Sequence, residues 1–116
     1  MPDMLGVLIA ERRLECRDGA GKRHEVVVRI GKPVLDQEPK PAWYCPFSIT
    51  GMGGEIERKA FGEDSVQALL LGLQMIGVEL EQYERTHACT LTWHGIGVNE
   101  PGFPPLPRPL PPEEYR

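Results

Sequence analysis

The sequence predicts an α+β fold: a four-stranded antiparallel meander with one long helix packed on one face. Three observations predict it. Apolar residues alternate with a period of two through four segments, glycine-bearing turns separate them, and helical spacing replaces the alternation from Glu63 to Arg85. Strands first and a helix after them is the α+β order.

The first strand spans Met4–Cys16. Leu8, Ala10, Leu14 and Cys16 share a parity that Arg12 breaks, which suggests a bulge near Arg12-Arg13 or an end in solvent. Asp18-Gly19-Ala20-Gly21 turns the chain into a second strand, His24–Ile30. Residues 32–41 carry Pro33, Pro39 and Pro41 and read as an irregular loop. Ala42–Thr50 alternates most cleanly, with Trp43, Cys45, Phe47 and Ile49 on one side. Pro46 lacks an N–H, so this strand needs an edge or a bulge there. Gly51-Met52-Gly53-Gly54 leads into a fourth, more polar strand, Glu55–Phe61.

Asp64 and Gln67 have capping-box spacing at the helix start. Val66, Leu69, Leu70, Leu73, Ile76, Gly77 and Leu80 form the stripe expected to face the sheet, with Gly77 permitting close approach. Ala68, Leu71, Met75 and Val78 form a second apolar patch on the helix. A sheet one layer deep cannot bury both sides, so the C-terminal tail, a second copy or a partner must cover the rest. Thr86–Trp93 can add a short fifth strand. Seven of the 12 prolines fall between Pro101 and Pro112, which divides the chain into a domain at 1–95 and a proline-rich tail at 96–116.

The 116 residues suffice for one self-stabilised domain. A net charge of -4, with the signs mixed along the chain, argues against nucleic-acid and membrane-surface binding. Met4–Ala10 is too short for a signal peptide and is followed by charges rather than preceded by them. The three widely spaced cysteines fit reduced thiols and a cytoplasmic setting.

Trp43-Tyr44-Cys45-Pro46-Phe47-Ser48-Ile49-Thr50-Gly51, with Asp64-Ser65-Val66-Gln67-Ala68-Leu69 and Leu73-Gln74-Met75-Ile76-Gly77, resembles a family of small bacterial proteins of unknown function. With Arg29-Ile30-Gly31 the likeness reaches to about Leu80. It implies a single domain in the bacterial cytoplasm and carries no activity or site residues.

The chemistry-bearing residues have plainer explanations. His87 and Cys89 share a face if Thr86–Trp93 is a strand, but His94 points away and a fourth ligand is missing, so no metal is expected. Cys45 lies in phase with Trp43 and Phe47, an apolar setting that suppresses the thiolate. Glu55 and Glu57 fit the solvent face of an edge strand; Glu63 and Asp64 fit a helix N-terminus. Gly51–Gly54 lacks the Gly-Lys-Ser/Thr ending of a phosphate loop, and no cofactor is expected. Tyr44 lacks the basic neighbours that stacking on bases requires. Arg108-Pro109-Leu110-Pro111-Pro112 has the form of a polyproline docking ligand.

Two functions follow as expectations. The first is a non-catalytic protein that binds a protein partner or itself through Ala68, Leu71, Met75 and Val78. Toxin-neutralising immunity proteins are one form of this by class analogy. The second is a small ligand-binding domain or enzyme with a pocket between the sheet and residues 32–41, drawing on His24, Tyr44 and Arg58.

Overall fold

The computed structural model describes residues 4–93 and 101–105. Among these described residues seven elements follow one another: β1 (Leu8–Asp18), β2 (Arg23–Gly31), β3 (Val34–Asp36), β4 (Ala42–Thr50), β5 (Ile56–Gly62), α1 (Ser65–His87) and β6 (Cys89–Trp93). The fold is α+β, and its open antiparallel sheet has six strands rather than four. β1 pairs with β2 on one side and β6 on the other. β5 runs along Trp43–Ile49 of β4. The other edge of β4 is shared, with β2 on Phe47–Thr50 and β3 on Ala42–Tyr44.

That shared edge corrects two expectations. Val34–Asp36, inside the segment read as irregular, is a strand because the chain leaving β2 runs on past Gly31-Lys32-Pro33 to the free end of β4. Pro46 is neither at a sheet edge nor in a bulge of β4. It sits where the partner changes from β3 to β2, and Cys45 and Pro46 have no register partner on that side. A residue without an N–H costs nothing at a break in the ladder. The bulge of β1 also lies earlier than expected, between Leu8 and Ala10.

One face of the sheet is the core. Leu14, Cys16, Val26, Val28, Cys45, Phe47, Ile49 and Leu91 are all essentially fully buried on it. The opposite face holds charge over β1 and β2, where Arg29 pairs with Glu11 and Arg13 with both Glu11 and Glu25.

α1 begins as its sequence requires. Asp64 is the N-cap, and its side chain accepts from the Gln67 N–H at 2.7 Å; the Gln67 amide oxygen reaches back to the Glu63 N–H at 2.6 Å. The helix is turned about a quarter revolution from the expected orientation. Ala68, Gly72, Ile76 and Leu80 face the sheet, while Val66 and Leu70 are 70% and 47% exposed. Small residues set this rotation. A Cβ on Gly62 would stand 2.5 Å from the Ala68 nitrogen, and one on Gly72 3.2 Å from the Cys45 sulfur. The close approach expected at Gly77 therefore occurs at Gly72. The helix ends at Ala88, which is left-handed at φ 47° and donates its N–H to the Glu84 carbonyl.

Candidate functional site

Residues 101–105 lie as a strap across α1, β1 and β6. Arg12, the parity exception of the first strand, holds it. Its guanidinium carbon stands 3.5 Å from the Trp93 ring centroid and 4.9 Å from that of Phe103. The same side chain donates to the Pro101 carbonyl at 3.2 Å and the Gly102 carbonyl at 2.7 Å. Burial lowers the Arg12 pKa from its ordinary value. Gln74 donates through Nε2 to the Pro105 carbonyl at 3.4 Å. Gly77 faces the strap, where a Cβ would meet the Pro104 carbonyl at 3.2 Å. A cavity of about 290 Å³ remains between strap and helix.

A second concave region lies at the end of the sheet formed by β3, β4 and β5. It encloses about 540 Å³ and is lined in part by Leu35, Trp43, Phe61, Lys40, Glu63 and Gln67. Beside it, Val34, Tyr44 and Phe61 are direct cross-strand partners and form one row. The Tyr44 and Phe61 rings are 6.0 Å apart, and the Lys59 ammonium stands 4.5 Å over the Tyr44 ring. Phe61 is 58% exposed and Val34 38%.

The structure distributes the sequence-derived candidates among different places. Of the helix patch, Ala68 is fully buried against the sheet, Met75 leans on the core, Val78 lines the strap cavity, and Leu71 is half-buried. His24, Tyr44 and Arg58 do not converge. His24 lies beside Glu15 and Glu25, Tyr44 meets the Phe61 ring at a tilt of 51°, and Arg58 pairs with Glu79 on α1 at 3.0 Å. None of the three lines the cavity beside 32–41. Arg108, Leu110, Pro111, Pro112 and His94 lie outside the described residues.

Among the described residues, no three His, Cys, Asp or Glu side chains gather in a metal-binding group. His87 stacks on Tyr83, with ring centroids 4.1 Å apart, and its Nδ1 faces the Tyr83 carbonyl. Burial pushes the Cys45 thiol up to about 11. Cys16 rises to about 12, first through burial and then through its contact with the Cys89 thiol. Both stay protonated at neutral pH, the opposite of an activated nucleophile. No described helix is long and apolar enough to cross a membrane.

Pairing and packing together define the class: a small α+β domain with an open antiparallel sheet, one covering helix and a short strap. The chain belongs to the family described as a domain of unknown function (DUF6968), which it matches over residues 10–105. That span takes in both the sheet-end row and the strap. No curated protein and no solved structure matches the chain.

Proposed function

We propose that the protein acts by binding another protein of the bacterial cytoplasm, without catalysis, and that the β3–β4–β5 end of the sheet is its docking surface. The observation that supports this is the Val34–Tyr44–Phe61 row. Three apolar or aromatic residues stand in register across three strands, two of them well exposed, on the face that elsewhere carries ion pairs. Aromatic residues at the centre of a patch with a charged rim are the usual anchors of protein interfaces. The thiol setting of Cys16 and Cys45 suits a reducing compartment. An immunity-type protein, which neutralises its target by contact alone, is one form this function can take.

The test is quantitative capture from native lysate together with absolute solution mass, using wild type, Phe61→Glu and a Val66→Glu control on the exposed helix face. A stoichiometric partner that is lost only in Phe61→Glu supports the proposal; a self-dimer lost there instead makes a second copy of the chain the occupant of the sheet end. Retention in Phe61→Glu removes the sheet end as the docking surface. A second reading rests on the 540 Å³ cavity with Lys40, Glu63 and Gln67 on its wall. There a small ligand would bind beside residues 32–41, and a thermal-shift screen with a Gln67→Ala control tests it.

A further inference from the structure

The cavity beneath the strap has an unusual donor and acceptor inventory. Its walls include Gln74, Glu81 and Glu84 from α1 and three prolines from the strap. Proline residues contribute carbonyl oxygens and no N–H. Gln74 is 5% exposed, and its Oε1 is buried without a hydrogen-bond partner. The Pro105 carbonyl fixes the orientation of this amide, because only Nε2 can donate to it; Oε1 is left as the unused acceptor. Glu84 accepts from the Leu91 N–H through one oxygen, and Glu81 pairs with Arg85 through one oxygen, so each carboxylate keeps a second. Among the described lining residues the only side-chain N–H group is the Gln74 amide, already directed at Pro105. Gly77, Val78, Phe103 and Pro104 supply apolar walls.

A cavity rich in acceptors and poor in donors is complementary to a cation that carries several N–H groups. Its apolar walls suit an aliphatic stem, and about 290 Å³ suits a fragment-sized group. We propose that this cavity is a binding site for an alkylammonium or alkylguanidinium group, with Gln74 Oε1 accepting from the cation and Glu81 and Glu84 balancing its charge. The site is separate from the sheet end and does not depend on the function proposed there. Seating the group requires a small outward shift of residues 101–105, since Oε1 is buried and Gln74 lines the cavity. The ligand therefore bridges strap and helix once bound.

The chemistry has two sources, a free small amine or a basic side chain of a peptide. Agmatine and the tripeptide amide acetyl-Gly-Arg-Gly represent them. Each is titrated into the full-length protein and followed by amide chemical shifts of Gly77, Val78 and Phe103. Saturable shifts with at least one probe are expected, with binding at least ten-fold weaker for a neutral alkyl amide of equal length. Saturation by agmatine alone assigns a free amine; saturation by the tripeptide alone assigns a peptide side chain. Gln74→Leu should abolish binding. Glu81→Gln, a change at the rim that leaves folding intact, should weaken it several-fold. Shifts that never saturate, or that are equal in wild type and Glu81→Gln, overturn the proposal. So does equal binding of the neutral amide.

Discussion

Two pieces of chain cover the core face of the sheet, and they are held by different physics. α1 is 23 residues long, buries Ala68, Gly72, Ile76 and Leu80, and packs mainly on β4 and β5 with a smaller contact to β6. Its attachment is burial of apolar surface at close approach, which is non-directional and spread over many contacts. The strap spans five described residues and is held at few points: Gln74 donates to it from α1, Phe103 packs against the core, and Arg12 ties it to β1. Arg12 supplies both its hydrogen bonds to β1 and the cation between the Trp93 and Phe103 rings. The helix is thus part of the cooperative fold, whereas the strap can release locally without it.

The sharpest break of this comparison is Ile76→Ala. Ile76 has no exposed surface and sits in the centre of the buried arc, so truncation leaves a cavity. The expected loss is about 2–5 kcal/mol in urea unfolding. A loss below about 1 kcal/mol would mean that the helix is not bound through this face.

Arg12→Ala comes next. It removes two charge-assisted hydrogen bonds and the stacked cation, with an expected loss of about 1–2 kcal/mol. The distinguishing readout is local. Hydrogen exchange at Gly102 and Phe103 should accelerate far more than exchange in α1, and Trp93 fluorescence should shift to the red. Equal acceleration in both regions would make strap and helix one cooperative unit.

A smaller effect, of opposite sign, is expected at the far end of the helix. Ala88 adopts the left-handed conformation that glycine takes without strain. Ala88→Gly should stabilise the protein by about 0.5–1 kcal/mol, read as a rise in Tm, while leaving strap exchange unchanged.

The same contrast explains what the sequence made legible. Elements defined by local pattern were readable: the four principal strands, the helix, its Asp64–Gln67 cap, and the burial of Cys45 with Phe47. β3 was not, because three residues among prolines form a strand only when the free end of β4 offers a partner. Helix rotation was not, because the large residues of α1 outvote the small ones in a hydrophobic pattern. In the packed molecule the small ones, Ala68 and Gly72, decide how closely the helix lies. Arg12 did leave a signal. Its break in parity suggested a bulge or an end in solvent, whereas the side chain stays in phase with the core because the strap, ninety positions later, accepts its hydrogen bonds. The sheet-end row left none, since Val34, Tyr44 and Phe61 meet only through strand register.

The weakest expected effect belongs to the face that, among the described residues, no helix or strap covers. Glu11 there accepts from Arg29 at 2.8 Å and neighbours Arg13, and the Arg29 hydrogen bond holds its pKa below the ordinary carboxylate value. A lowered folded-state pKa means that the ionised form favours the folded chain. This contribution is complete above the unfolded-state pKa and is lost as pH falls through the folded-state value. Glu11→Gln should therefore be slightly less stable than wild type at pH 7, and the difference should close at acid pH. It should also narrow in high salt, because exposed pairs are screened. Urea midpoints of both proteins across pH and salt supply the check. A difference that persists in acid and in salt would show that Glu11 acts through packing, and that the open face shares the physics of the covered one.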